Sequence, residues 1–247
     1  MKSIGFIGKI DKTELVGYIS KIVAATGKKV VMLDATSEQK TRYTIPTIDA
    51  MGSDSQYVVQ FDNIDIAVGF SNMLELKKYL LGKGEDFNAY DYIMIDTDQE
   101  EMIEEYDLKS ANALFFASSY DKMYIHKGID LLKFLCAMKR KIEPDGVITL
   151  NKILYSSDIN TADTKYFEHM CENLPIIWTD KMLNFPYDQG DFSVNIQNQY
   201  TNKFDIARLS KYYKEGLANA VEIITGEPMA EVRKVMKNVE KYNRFSI

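Results

Sequence analysis

Six consecutive residues near the start of the chain, Gly8-Lys9-Ile10-Asp11-Lys12-Thr13, combine the types that handle anions. They follow an apolar run, Ser3 to Ile7, and open a stretch of helical periodicity from about Thr13 to Thr26. A strand, a short glycine-containing loop and Lys-Thr at a helix start together make a layout that cradles phosphate. Loop and helix-terminal N–H groups face the anion, the ammonium reaches its terminal oxygens, and the hydroxyl holds Mg²⁺. Asp11 argues the other way. A carboxylate beside a partly desolvated phosphate repels it, and aspartate lacks the backbone freedom of glycine. The same residues also read as an ordinary strand–turn–helix with Asp11 as N-cap, a favoured type there. Both readings stay open on the loop alone.

Two more carboxylates end strand-like runs. Asp34 follows Lys29 to Leu33, and Asp96 follows Tyr92 to Ile95. Parallel sheets place ligand sites at the carboxyl edge of their strands. There Asp96 would hold Mg²⁺ through water together with Thr13. For Asp34 simple strand termination is the competing reading. The acidic stretch Asp98-Gln99-Glu100-Glu101, with Glu104 and Glu105 after it, reads as a solvated helix face. His126 and His169 have no ligand cluster around them, and Cys136 and Cys171 form no CxxC pair. Neither GxSxG nor HExxH occurs.

Elements that must position these groups alternate along the whole chain, the pattern of parallel βαβ units. Strands are expected over Lys29–Leu33, Gln56–Phe61, Ile64–Val68, Tyr92–Ile95, Ala113–Ala117, Val147–Leu150 and Pro175–Trp178. Helices are expected over Met73–Leu81, Met123–Ile142, Ala162–Glu172, Phe204–Thr225 and Met229–Tyr242, with Gly82–Asn88 as a loop. In the first helix Leu15, Ile19, Ile22 and Val23 share one face, and Gly27 is placed to end it. At 247 residues and 46% hydrophobic the chain can bury one sizeable core. No repeat or linker divides it, so one domain over 1–247 is expected.

The loop resembles the deviant Walker A motif of the ParA/MinD family, Lys-Gly-Gly-Val-Gly-Lys-Thr, with Gly8, Lys12 and Thr13 in place and Ile10 for the valine. Ile7 stands where that family has its signature lysine, Lys9 is two positions late, and Asp11 replaces the glycine before the lysine. Lys28 to Ala35 resembles the family's second strand, which implies for Asp34 a role in positioning attacking water. Tyr90-Asp91-Tyr92-Ile93-Met94-Ile95-Asp96-Thr97 resembles its Walker B strand, without the Pro-Pro-Gly that usually follows. Val147 to Lys152 resembles the strand whose terminal asparagine, here Asn151, contacts adenine. Phe185-Pro186-Tyr187-Asp188 resembles the segment lining the base pocket. These matches keep the family's order across about residues 1–190.

The resemblance implies an α/β, three-layer P-loop NTPase-like fold, with a mostly parallel central sheet and helices on both faces. It implies ATP or ADP with Mg²⁺ at Gly8, Lys9, Asp11, Lys12, Thr13, Asn151 and Pro186. Thr13 and Asp96 would serve the metal, and Asp34 and Lys12 catalysis. In that family ATP closes a homodimer and hydrolysis opens it, which positions other proteins. The departures around Asp11 imply weak or absent hydrolysis and leave open that no nucleotide binds. The TadZ/CpaE-like branch, which places pili and secretion machines, is known for atypical loops of this kind. The reading is therefore a pseudo-ATPase scaffold, against an active positioning ATPase or a DNA-binding partition ATPase.

A formal net charge of −6 makes duplex nucleic acid an unlikely partner, since its phosphates need a concentrated basic face. No apolar run approaches the ~20 residues that span a bilayer. A cytoplasmic location is expected, with peripheral contact at the inner membrane face left open. Residues 229–247 read as an amphipathic helix, with Val232, Val235, Met236, Val239 and Tyr242 on one side and Arg233, Lys234, Lys237 and Lys241 on the other. Packing on its own domain or a partner is preferred to a membrane role, to which Phe245 and Ile247 would add an anchor.

Overall fold

The period-two alternation of the strands divides their side chains between two faces of one sheet. A computed structural model describes residues 1–45, 56–100, 103, 105–156 and 164–245. The strands are β1 (Lys2–Ile7), β2 (Val30–Ala35), β3 (Tyr57–Phe61), β4 (Ile64–Val68), β5 (Tyr92–Thr97), β6 (Ala111–Ser119), β7 (Ile148–Ser156), β8 (Ile176–Trp178) and β9 (Leu183–Pro186). Their order is β3-β4-β2-β5-β1-β6-β7-β8, with β9 also on β7. All pairings among the described residues are parallel except the β3–β4 hairpin. That hairpin turns on Asp62 and Asn63, both at positive φ (52° and 68°), the two-residue geometry that matches strand twist.

Ile4 and Phe6 of β1, Met32 of β2, Met94 of β5 and Phe115 of β6 face one layer. That layer is built from α1 (Thr13–Ala24), α7 (Lys211–Thr225) and α8 (Met229–Phe245). Ile7 and Phe116 face the opposite layer with α4 (Lys122–Ile142) and α5 (Thr164–Cys171). Further along that face, Val31, Leu33, Ile93 and Ile95 pack with α2 (Met73–Gly82). Helices thus cover both sides of a mostly parallel sheet, as the resemblance implied. α1 is buried on nearly every side, because α7 and α8 cover the face that a two-layer arrangement would leave wet.

Several sequence expectations need correction. The helix expected from Phe204 begins only at Lys211, capped by Ser210, whose hydroxyl accepts the Tyr213 N–H at 3.1 Å. Phe204, Ile206 and Leu209 are buried before it without being helical. β7 runs to Ser156, six residues beyond the expected end. Within the expected loop 82–88, Phe87 opens a 3₁₀ turn. β9, α3 (Glu105–Ser110) and α6 (Gln189–Thr201) were not anticipated. Residues 162 and 163 of the helix expected over Ala162–Glu172, and Glu101 and Glu104 of the acidic stretch, lie outside the described residues.

α8 buries its apolar face. Val232, Met236 and Val239 join the core against α7 and α1, and Arg233 pairs with Glu215 of α7 at 2.7 Å. The helix therefore packs on its own fold, and its apolar stripe is not presented to a lipid surface. The anchor expected of Phe245 and Ile247, and the Tyr242 side chain, lie outside the described residues. Among the described residues no helix is long and apolar enough to cross a membrane.

Candidate functional site

β1, β2 and β5 lie side by side at the middle of the sheet, and their carboxyl ends bring the separated motifs to one rim. Asp34 and Asp96 are register partners on neighbouring strands, and Phe6, two residues before Gly8, is the other partner of Asp96. Gly8 is tied to the same edge by its N–H, which donates to the Thr97 carbonyl at 3.2 Å. Its φ is +149°, and a Cβ built there would lie 2.2 Å from the Ala117 carbonyl oxygen. Only glycine lets the loop turn this closely across β6.

Lys12 and Thr13 both meet Asp96. The Lys12 ammonium lies 2.8 Å from Oδ1, and the Thr13 hydroxyl donates to Oδ2 at 3.0 Å. Lys12 also donates to the carbonyls of Gly8 (3.0 Å) and Thr97 (3.1 Å) and is buried. Its charge is folded into the loop's own base. Asp96 Oδ1 has the ammonium as its counter-charge but no well-aligned hydrogen bond. This buried carboxylate oxygen, with the Thr13 hydroxyl beside its twin, fits a hydrated Mg²⁺. Among the described residues no cluster of three or more His, Cys, Asp or Glu could hold a metal. Such an ion would therefore take its remaining ligands from water and a bound phosphate, as Mg²⁺ commonly does.

Burial pushes the Asp96 pKa up to about 6, and neighbouring Asp34 adds to the shift against the opposing pull of Lys12 and Thr13. The fold thus binds a proton that the unfolded chain releases at lower pH. Asp96's contribution to stability is greatest below its unfolded value and declines as pH rises through about 6. Carboxyl-carbon NMR of Asp-labelled protein should show one resonance titrating near 6, absent from Asp96→Asn. A resonance assigned to Asp96 that titrates near 4, the range of an exposed aspartate, would contradict this account.

Asp11 stands just ahead of the helix and accepts the Thr13 N–H through Oδ1 at 3.2 Å. Its other oxygen pairs with Lys40 at 2.7 Å, and Lys40 also contacts Glu14 at 2.6 Å. Burial alone would raise the Asp11 pKa, but Lys40 and the Thr13 amide outweigh it and hold the carboxyl below its usual range. For Lys40, burial opposes the charge, and Glu14 and Asp11 overcome it and raise the pKa. The carboxylate thus occupies a helix N-terminal amide of the kind that would face a phosphate, with its counter-ion already supplied. Gly8, Thr13 and Asp96 fit a magnesium-phosphate group; Lys12, whose ammonium is turned into the base of the loop, and Asp11 in this position do not.

Asp34 is fully buried and fully engaged. Oδ1 accepts the N–H (3.1 Å) and hydroxyl (2.6 Å) of Thr36, and Oδ2 accepts the N–H (3.0 Å) and hydroxyl of Thr41. In this arrangement it organises the segment after β2, and positioning a water would require giving up one of those bonds. Lys9 donates to the Asp98 carbonyl of its own chain. Asp98 in turn accepts the N–H (2.9 Å) and hydroxyl (2.7 Å) of Ser37, linking the segments after β2 and β5.

Two cavities meet at the loop. One, of about 500 Å³, is lined by Lys9, Lys12, Thr13, Lys40, Asp98 and Lys127. The other, of about 200 Å³, is lined by Tyr124, Tyr155, Pro186, Tyr187 and Phe192. Asp11 and Lys40 line both, so their ion pair stands at the boundary. Pro186 therefore joins the site. Asn151 does not. It lies inside β7 rather than at its end, where it donates to the Leu114 carbonyl (3.1 Å) and accepts from Thr179 (3.0 Å). It lines a separate cavity with Asn112 and Thr149.

Lys40, Lys127, Ser37 and Asp98 were missed as site residues. Lys40 and Lys127 carry no local signature, and Ser37 follows a strand-terminal acid closely enough to have been weighed; Asp98 was read as part of a solvated helix face, whereas Asp98 to Glu100 are not helical and Asp98 is tied to Ser37.

Solved structures place this architecture. The MinC:MinD cell division protein complex of Aquifex aeolicus matches with a TM-score of 0.59 at 14% identity, covering 92% of this chain and 97% of that chain. A ParA family ATPase from Chlorobium tepidum TLS gives 0.59 at 13% identity, covering 92% and 98%. The fold is that of the ParA/MinD-type P-loop ATPases. A putative plasmid partition protein from Borrelia burgdorferi B31, bound to AMPPNP, shares the ParA/MinD-type fold with a TM-score of 0.53 at 19% identity, covering 91% and 98%. At such identities the likeness speaks for the fold. No protein-family model matches the chain, and a search of curated proteins finds no match.

Proposed function

We propose that this chain is a ParA/MinD-like scaffold, a pseudo-ATPase that keeps the nucleotide-binding fold and has lost most or all hydrolysis. Its role would be to position or assemble other proteins in the cytoplasm, as a homodimer. The pilus or secretion machines of the TadZ/CpaE-like branch give the class of client. One observation carries the reading: the Asp11 carboxylate sits on the Thr13 amide with Lys40 as its counter-ion. A phosphate arriving there must displace a carboxylate that is already hydrogen-bonded and charge-paired. The engagement of Asp34 with Thr36 and Thr41 supports the loss of water positioning.

The retained Gly8, Thr13 and Asp96 arrangement favours a second reading, an active positioning ATPase using ATP and Mg²⁺. There Mg²⁺ would screen the phosphates and Thr13 and Asp96 would orient it. Calorimetric titration with ATP and Mg²⁺, together with a phosphate-release assay, separates the two. The scaffold reading expects weak or no heat of binding and no release above background. Steady turnover by the unmodified chain would overturn it in favour of the second reading.

A further inference from the structure

The smaller cavity beside the loop has walls that suit a cation. Five aromatic rings line it: Tyr124 of α4, Tyr155 of β7, Tyr213 of α7, and Tyr187 and Phe192 around the start of α6. Tyr155 and Tyr187 lie with their ring centroids 6.0 Å apart. The faces of such rings carry negative potential and attract ammonium groups. Four carboxylates, Asp11, Glu14, Asp188 and Asp191, line the same cavity. Lys12, also on its wall, is held by Asp96. Lys40 alone is then left to answer the four acids, and it is already shared between Asp11 and Glu14.

Acids and rings would mean little if the chain satisfied every group on the wall. Tyr213 is 4% exposed and lines the cavity, yet its hydroxyl has no hydrogen bond among the described residues. Glu14, 8% exposed, receives both Gln199 (2.8 Å) and Lys40 (2.6 Å) on Oε1, and its Oε2 has no hydrogen bond among the described residues. Buried oxygens are normally paired, so these point to a donor from outside the chain. Burial pushes the Tyr155 hydroxyl well above its ordinary pKa, and Asp11 and Glu14 push it further, so it stays a neutral oxygen at the wall.

Those walls select among ligands. An anion meets a surplus of like charge. A neutral ring would stack on the tyrosines and leave that surplus unmatched. An alkylammonium answers both, with N–H groups for the oxygens and charge for the acids and ring faces. The surplus favours two such groups over one, and about 200 Å³ admits a short aliphatic chain between them.

We propose that this cavity binds a small aliphatic diamine through its ammonium groups. The inference goes beyond the scaffold reading and does not rest on it, because the cation needs neither ATP nor a working phosphate loop.

Calorimetric titration of the full chain with 1,4-diaminobutane, at low salt and without nucleotide, tests it. Binding with a Kd below about 1 mM is expected. n-Butylamine, which carries one charge and stands for a lysine side chain, should bind at least about tenfold more weakly. Tyr187→Leu leaves the net charge unchanged and should weaken binding about fivefold through the lost ring face, which separates the cavity from general attraction to an acidic protein. Asp188→Asn keeps a good capping residue on α6 and should weaken binding by a similar factor. Both positions are exposed, so both variants should fold. A separate titration with ATP and Mg²⁺ reports on the loop, so the two readings can fail independently. No heat up to about 10 mM diamine, equal binding of the two amines, or binding that neither substitution weakens would overturn the proposal.

Discussion

Replacing Asp11 with glycine should raise the affinity for Mg²⁺-ATP by about a hundredfold. The carboxylate holds the Thr13 amide and the Lys40 ammonium, both of which a phosphate would otherwise use. Like charges about 4 Å apart near a protein surface repel by about 4 kcal/mol, and each 1.4 kcal/mol is about tenfold in affinity. Screening by Lys40 and by solvent at the half-exposed Asp11 reduces that figure, so two decades is the expected gain. Titration calorimetry of wild type, Asp11→Gly and Asp11→Asn checks it. Asparagine keeps a side-chain oxygen for the amide and removes the charge, so it should recover part of the gain. If neither variant binds more tightly than the wild type, Asp11 is not the obstacle and the scaffold reading loses its main support.

Gly8→Ala should be the most damaging single methyl group in this loop. The left-handed φ and the 2.2 Å approach to the Ala117 carbonyl mean that β1 and β6 must part to admit it. Strained backbone costs about 1–3 kcal/mol, and forced overpacking costs a similar amount. Together these remove about 2–6 kcal/mol from a domain whose total is typically about 5–15 kcal/mol. A urea melt should show the midpoint falling sharply, with insoluble expression as the extreme. A midpoint equal to that of the wild type would mean that the loop does not lie against β6 as described. Gly27→Ala is a useful contrast. That residue also has a positive φ (84°), but a Cβ there meets nothing within 4 Å, so only the backbone strain remains.

The sequence carried the central sheet because burial on both faces writes near-continuous apolar runs, as in Val30 to Leu33 and Tyr92 to Ile95. It carried the rim as well. Gly8, Asp34 and Asp96 had to sit at strand ends, with Thr13 opening the helix after β1, and parallel pairing then leaves them little choice but to meet. α6 escaped notice because Gln189 to Thr201 is rich in asparagine, β-branched and aromatic residues with a glycine near its start, types with modest or poor helix preference. Its exposed apolar residues also blur the periodicity that marks a helix with one wet side. The end of β7 was misjudged because Asn151 and Lys152 read as punctuation, whereas tertiary bonds to Leu114 and Thr179 keep the strand running past them. Lys40 was invisible for a different reason. Its importance comes from where the chain folds back after β2, and no local pattern encodes that return.

The four bonds around Asp34 have a further consequence. A segment that becomes ordered only when a ligand arrives can report that arrival, because its ordering is part of the binding free energy. Here the stretch from Thr36 to Thr41 is fastened by its own chain, so that entropy has already been spent at folding. Under the scaffold reading, a protein docking against it would meet the same shape with or without nucleotide, and the chain would act there as a fixture instead of a messenger.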